Sequence, residues 1–365
     1  MDIAEHVGVI RCTQGNLPHI HKKLVSYKKS LGAILFSGLS RRHRANPLAS
    51  IRAERIFAAP ILFSGMSSLN LNKSESDILA SHVKTTIEGL LKLHQKTPEP
   101  VVFLISGTMP GEAMLHLKQL TLFSMICRLP TNILNKIARE TLLTCKDSDK
   151  NWFAQIRSHC YRYGLPHPLT LLDKPLTKDE FKNLSKQKVA DYWQAKLRNQ
   201  AKELKSLKYF HPEFMSLCHP HPLLTTAENS YDTNKMIVQL RMLSGRYRVG
   251  TLLRHFSPDK SGVCEICNLE NEDLEQILVP RCYALKDKKA VLLEYATTIL
   301  KHSQLATEIF NNVLDSDDET LLVQFILDCS VLPPVITAAQ QDKVTRTWCY
   351  TMHRTRLKLL NRWIK

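Results

Sequence analysis

Three cysteines in the last third of the chain have the spacing of metal ligands. Cys264 and Cys267 form a Cys-x-x-Cys pair, and Cys282 follows further along the chain. Thiolates bind zinc, and a structural zinc site is tetrahedral with four ligands. The sequence therefore predicts a zinc site at these three cysteines, with a metal-free loop as the alternative. A fourth ligand is not evident: His255 is available, but nothing in the sequence requires it.

Carboxylates that would support polymerase chemistry are missing from the sequence pattern. Such an active site needs paired carboxylates on a buried hairpin, where they hold two metal ions. The one Asp-Asp dipeptide, Asp317-Asp318, lies in a short acidic stretch without a strand pattern on either side. A glycine-rich phosphate-binding loop of the Walker type is also absent from the sequence. We therefore expect that the chain is not an enzyme.

The charge of the chain points to a polyanionic partner. Its 50 Lys and Arg against 34 Asp and Glu give a formal net charge of +16, which favours nucleic acid or an anionic membrane surface. Apolar runs are shorter than the roughly 18 residues of a membrane span, and the first residues lack the pattern of a secretory signal. The ten cysteines are mostly scattered singly, which is typical of reduced thiols. We expect an intracellular protein that binds RNA or DNA and no membrane.

The candidate nucleic-acid-binding residues form three basic groups. Arginine suits phosphate because its planar guanidinium donates two parallel hydrogen bonds. An alternative interpretation is a helical scaffold or protein-interaction module whose basic helix faces are only solvated. The groups consist of Lys22, Lys23, Arg41, Arg42, Arg44 and Arg52; of Arg241, Arg246 and Arg248; and of Arg354 and Arg356.

Short stretches along almost the whole chain resemble the region after the palm in metazoan non-LTR retrotransposon reverse transcriptases. Their order carries the resemblance more than any one of them. They are residues 6–10, 43–47 with 52–56, 93–98 through 110–113, 243–248, the cysteine cluster, and 347–350 with 353–354.

The resemblance implies a fragment that begins after the polymerase active site and extends to the end of such an element. In a full element these parts would hold template RNA and target DNA while the palm copies. The family usually has a His before the last cysteine, and Gln276 stands at that position here. Glutamine is a poor zinc ligand because it is neutral and hard, so the resemblance leaves zinc binding in doubt.

Apolar residues recur mainly at helical spacing, which predicts a mainly α protein of multi-helix bundle domains. A short N-terminal strand is expected at residues 6–10, and a small Cys-rich loop near the C-terminal helices. We predict a thumb-like helical domain at 1–96, a middle helical domain at 97–210, a linker and basic helix at 211–255, a zinc-knuckle-like loop at 256–285, and C-terminal helices at 286–365.

Local signals predict where several helices begin and end. Ser74 with Asp77 and Thr177 with Glu180 have the spacing of capping boxes. Pro110 is expected at a first helical position and Gly164 at a helix end. Residues 113–126 are apolar nearly all round, which predicts a buried helix.

Overall fold

The computed structural model describes residues 3–6, 9–12, 15–39, 45–146, 149–256, 259, 261–279, 282, 285, 319–328 and 338–363. The described part is mainly helical, which confirms the predicted fold class. Near the N-terminus, strands β1 (Ile3–His6) and β2 (Val9–Cys12) pair antiparallel, with His6 opposite Val9. The stretch expected to be a single strand is thus shared between two strands of a hairpin.

The described α-helices follow one another with short connections. They are α1 (Leu17–Ile34), α2 (Pro47–Ala53), α3 (Ala59–Phe63), α4 (Lys73–Leu90), α5 (Glu99–Ser106), α6 (Gly111–Cys127), α7 (Ile133–Thr144), α8 (Trp152–Tyr163), α9 (Pro168–Asp173), α10 (Lys178–Glu203), α11 (Pro222–Thr225), α12 (Ser230–Leu243), α13 (Gly250–Phe256), α14 (Leu274–Leu278), α15 (Glu319–Leu327) and α16 (Ala338–Trp363). Short π segments lie at Leu35–Leu39 and Glu54–Ala58, and 3-10 turns at Met66–Ser68, Lys205–Leu207 and Pro212–Phe214.

The chain forms two compact units, each built from separate stretches of sequence. The first unit comprises residues 1–40, 49–87 and 107–197, and the second comprises residues 41–48, 88–106 and 198–365. These units are not the five predicted segments, whose boundaries stay predictions.

The first unit has an apolar core with a buried polar network inside it. Leu120 and Phe123 of α6 pack in the core with Ile156 of α8, all fully buried. Trp193 of α10 donates to the Tyr163 hydroxyl at 3.1 Å, and that hydroxyl lies 2.6 Å from Nδ1 of His116. Because buried polar groups are costly without partners, this network fixes how the three helices pack.

The second unit is centred on α12 and α16. Leu240 of α12 is fully buried, as are Val323 of α15 and Met352 of α16. Gln239 of α12 is also fully buried, and its side-chain amide donates to the carbonyl oxygens of Ile326 and Leu327 at 3.0 and 3.1 Å. Helix α12 is thereby fastened to the C-terminal end of α15 by hydrogen bonds as well as by apolar packing.

Helix ends follow the predicted signals with two differences. Thr177 and Glu180 form the predicted capping box, and Gly164, at φ +61°, ends α8 as predicted. At α4 the capping box is formed instead by Asn72 and Glu75, because the Asn72 carboxamide accepts from the Glu75 amide at 2.9 Å. Pro110 precedes α6 as its N-cap rather than occupying its first turn.

Helix α6 differs from the fully buried helix that its composition predicts. Leu115 and Leu120 are buried, but Lys118, Thr121 and Met125 are exposed along one face. An apolar face that remains exposed on one side explains why the sequence is apolar nearly all round without complete burial.

Residues 211–222 are packed, although their Pro and His content predicts a linker. Met215 and Leu217 are buried in the second unit. The Arg198 guanidinium donates to the carbonyl oxygens of Pro212, Glu213 and Met215. These three hydrogen bonds order the stretch, since they satisfy backbone groups that a solvated linker would leave to water.

None of the helices in the described ranges has the length and apolar content that crossing a lipid bilayer requires.

Candidate functional site

The three predicted cysteine ligands meet in the second unit. The sulfur atoms of Cys264, Cys267 and Cys282 lie within 4.8 Å of one another. Zinc–sulfur bonds of about 2.3 Å place tetrahedral thiolates roughly 3.8 Å apart, so small movements would bring the three around one ion. Cys264 and Cys282 are buried and Cys267 is half-buried. The cluster can therefore hold a metal ion that is largely shielded from water.

The backbone around Cys264 and Cys267 directs amide groups toward both sulfurs. Asn268 has φ +55°, a left-handed conformation that asparagine tolerates, and the turn closes with the Cys264 amide donating to the Glu270 carbonyl at 2.8 Å. Burial raises the pKa of the Cys264 thiol. At Cys267 burial also acts to raise the pKa, but hydrogen bonds from the amides of Leu269 and Glu270 and from the neighbouring thiols hold it below its ordinary value. A turn that stabilises thiolate at Cys267 favours a cation in the cluster.

Gln276 lies beside the cluster, at the position where the resembling family has a His. Its side chain is buried, and its Nε2 donates toward the Cys267 sulfur at 3.5 Å. Its Oε1 is buried without a hydrogen-bond partner. His255, the other candidate, is exposed on α13 and does not join the three thiols. The residue that faces the thiols is thus a weak ligand rather than an imidazole.

A buried ion pair connects the Cys-rich loop to α16. The Glu272 carboxylate accepts two hydrogen bonds of 2.7 Å from the Arg356 guanidinium and one from the Gly250 amide, also 2.7 Å. The Glu272 backbone amide donates to the Gly262 carbonyl, and the Thr251 amide donates to the Glu272 carbonyl. Glu272 therefore joins the loop, the start of α13 and α16 in one arrangement.

A basic cleft of about 460 Å³ lies at the end of α12 in the same unit. Gly245, at φ +65°, ends α12, and a Cβ there would come within 2.1 Å of the Ser206 carbonyl oxygen, so the tight turn requires glycine. After this turn Tyr247 is buried, Arg246 is half-buried and Arg248 is exposed. We define the basic cleft by its lining residues, which are His94, Gln95, Lys96, Arg246, Arg248, Leu252 and Leu253.

The loop that supplies Lys96 is held in an unusual backbone conformation. Lys92 and Lys96 have φ of +57° and +66°, a region that lysine rarely adopts. The buried Glu88 carboxylate holds the loop by accepting from the Thr97 amide, and the Thr97 hydroxyl donates to the His94 carbonyl at 2.6 Å. Strained backbone of this kind persists where the surroundings enforce it, and it concentrates at functional sites.

The second and third basic groups, far apart in sequence, converge near this cleft. Burial lowers the pKa of His94, and the positive charges of Arg241 and Arg248 lower it further. Burial likewise lowers the pKa of His353, followed by the charges of Arg356, Arg241 and Arg354. Arg241 also donates to the Lys92 carbonyl at 2.9 Å. Arg241 thus lies between the Lys92–Lys96 loop and α16, and the basic groups share one region.

Comparison with known proteins gives no match: no protein-family model, curated protein or solved structure is significantly similar to the chain. The geometry of the second unit is therefore the main guide to function.

The other predicted basic residues have different positions. Lys22 on α1 and Arg52 on α2 are exposed and Lys23 is half-buried, all in the first unit. Arg354 is exposed on α16, whereas Arg356 is buried with its guanidinium held by Glu272. This pairing gives Arg356 a structural role in place of a free phosphate-binding one. Arg41, Arg42 and Arg44 lie outside the described residues, as do Asp317 and Asp318.

Lys96 and His94 are cleft residues that the basic groups of the sequence omit. Lys96 is an isolated charge next to Pro98, and its position depends on hydrogen bonds to Glu88 and on contacts distant in sequence. Its one local signal is its place in a stretch that resembles the reverse transcriptase family.

Proposed function

We propose that the chain binds nucleic acid, RNA above all, through the basic cleft of the second unit. One observation carries the proposal: Lys96, Arg246 and Arg248, from two separate stretches of sequence, line one cleft. The described lining residues of that cleft include no carboxylate. The proposal agrees with the role that the resemblance implies, a nucleic-acid-holding region of a non-LTR retrotransposon reverse transcriptase without its catalytic palm.

The chemistry of the cleft suits phosphate groups more than bases. Guanidinium and ammonium groups bind phosphate oxygens and release condensed counterions, which supplies affinity without reading sequence. Tyr247 is buried, with its hydroxyl 2.8 Å from Nδ1 of His353, and Trp348 is buried with its indole N–H donating to the Leu278 carbonyl. Because neither ring is an open stacking platform, we expect little sequence preference.

The test compares two triple variants that remove the same charge from the second unit. The first replaces Lys96, Arg246 and Arg248 with Ala; the control replaces Lys202, Lys205 and Lys343, which are exposed and lie outside the cleft. Binding to a fluorescent single-stranded RNA is measured by anisotropy, and thermal melts confirm folding. We expect the cleft variant to lose about tenfold or more in affinity and the control much less, because direct phosphate contacts dominate binding. Equal losses would show that only net charge matters, and the cleft assignment would be wrong.

We also propose that Cys264, Cys267 and Cys282 hold zinc weakly in a structural role. The clustered sulfurs and the amide groups that stabilise the Cys267 thiolate support the metal. Gln276 limits its affinity because a neutral amide is a poor substitute for imidazole. When bound, zinc would tie the Cys-x-x-Cys turn to Cys282 and so steady the loop that Glu272 joins to α16.

A further inference from the structure

An apolar groove with a basic rim lies in the first unit, away from the features already described in the second. Helices α3, α6 and α10 line it, and its volume is about 540 Å³. Its apolar floor is formed by Ala59, Pro60, Phe63, Met114, Leu117, Leu122 and Met125, and its rim carries Arg55, Lys118, Lys182 and Lys186. The lining residues in the described ranges include no Asp or Glu.

The groove follows the exposed face of α6. Residues 114, 117, 118, 121, 122 and 125 recur at spacings of three and four, so they form one stripe along the helix. Eleven residues at about 1.5 Å per residue give a stripe of roughly 16 Å, or three helical turns. This stripe is the face of α6 that remains uncovered although the helix is apolar nearly all round.

The polar groups within the groove are already satisfied. The Thr121 hydroxyl donates to the Leu117 carbonyl at 2.7 Å, and the buried Ser185 hydroxyl donates to the Lys182 carbonyl at 3.3 Å. The floor therefore presents carbon and sulfur surface, which gains free energy by contact with another apolar surface. Met114 and Met125 add flexible thioether side chains, which adapt to varied partners.

We infer that this groove binds an amphipathic helix of a partner protein, about three turns long, with acidic residues beside its apolar face. The apolar floor favours a peptide over nucleic acid: Phe63 is the one aromatic side chain among the described lining residues and is 2 % exposed, so bases find no stacking surface. The four basic side chains at the rim favour acidic flanks on that helix through charge complementarity.

The test is a selection from a random peptide library displayed on phage, with the full-length chain as target. Each round includes counter-selection against the Met125→Asp variant. Met125 is 51 % exposed, so an Asp there places a charge in the groove with little effect on folding. The control, Leu143→Asp, changes a residue of α7 that is 62 % exposed and outside the groove.

The expected result is a set of peptides with apolar residues at i, i+3 or i+4 and i+7 and a net negative charge. Met125→Asp should weaken them by about tenfold, as loss of a contact in the core of an interface does, whereas Leu143→Asp should not. Lys186→Glu should also weaken them more than Lys188→Glu, an exposed change on α10 outside the groove. Enriched peptides without acidic residues, or no dependence on Met125, would overturn the inference. So would RNA affinity that falls with Met125→Asp, which would assign the groove to nucleic acid.

Discussion

Glu272 and Arg356 form an ion pair in which each side chain depends on the other. Both are buried, at 3 % and 7 % exposure, and they meet through two hydrogen bonds of 2.7 Å. Removing one partner from a buried pair leaves an uncompensated charge, which costs about 3–5 kcal/mol. We expect Glu272→Ala to lower the free energy of unfolding by this order in urea titrations.

The control for that variant is Glu213→Ala, which breaks the exposed pair of Glu213 with Lys202. Such surface pairs contribute about 0–1 kcal/mol, so stability should change little. Similar losses in the two variants would mean that the Glu272–Arg356 pair does not hold the Cys-rich loop to α16.

Gln276 is the residue that sets the metal affinity of the cysteine cluster. Gln276→His supplies an imidazole beside the three sulfurs and completes a three-Cys, one-His set. Zinc affinity should then rise by more than the roughly tenfold that a lost outer-shell partner costs. A competition titration with a chromophoric chelator measures this change.

Two cysteine variants serve as references for the zinc titration. Cys264→Ser should abolish binding, whereas Cys218→Ser, at an exposed cysteine outside the cluster, should leave it unchanged. One tightly held zinc in the unchanged protein, with no gain from Gln276→His, would contradict the proposed weak site.

At the scale of elements, α6, α8 and α10 meet at two buried histidines that must stay neutral. His159 Nε2 donates to the Gln119 side-chain oxygen at 3.0 Å, and the rings of His116 and His159 are 3.8 Å apart. Burial lowers the pKa of His116 to about 2, with the charge of His159 adding to it, and lowers the pKa of His159 to about 3.

These pKa values predict how the stability of the first unit depends on pH. The unfolded chain binds protons on both histidines below about pH 6.5, while the folded unit does not until about pH 3. Stability is therefore complete above pH 6.5 and falls with decreasing pH, by up to about 1.4 kcal/mol per pH unit for each histidine. Urea titrations between pH 7 and pH 4 measure this slope.

His159→Gln should reduce the slope, because its amide can still donate to Gln119 but takes up no proton. His21→Gln, at an exposed position on α1, is the control and should leave the slope unchanged. If acid destabilises His159→Gln as much as the unchanged protein, the buried histidines are not the cause.

Most helices could be predicted from the sequence because their signals are local. The helices at Ile133–Thr144 and Trp152–Tyr163 match the stretches expected from apolar spacing, and Gly164 ends the second of them. Residues 211–222 misled the prediction because Pro and His suggest a solvated stretch. What orders them is Arg198, a long-range partner that no local pattern reveals.

The candidate sites were predictable to different degrees. The three cysteines are recognisable because ligand spacing is a local signal, and Gln276 is found beside them through its position in the resembling family. The fate of Arg356 was not predictable, since its partner Glu272 is 84 residues away and a charge in a basic stretch suggests solvent exposure.

At the scale of the whole molecule, the net charge of +16 has to act through particular residues if nucleic acid is the partner. Basic residues of the second unit gather around one cleft, while others, such as Arg356, are used in the core. Charge alone would give a chain that adheres to any polyanion, whereas a cleft gives a saturable site whose salt dependence counts its phosphate contacts.

The salt dependence of RNA binding tests this account most directly. The affinity of the full-length chain for single-stranded RNA is measured by anisotropy from 50 mM to 300 mM salt. If Lys96, Arg246 and Arg248 each contact a phosphate, the slope of log affinity against log salt should be about −2 or steeper, at about −0.7 per contact. Replacing the three with Ala should flatten the slope by about two units, and a scrambled RNA should bind nearly as well. A chain that does not bind RNA at 50 mM salt, or a slope that the three substitutions leave unchanged, would contradict the proposed nucleic-acid cleft.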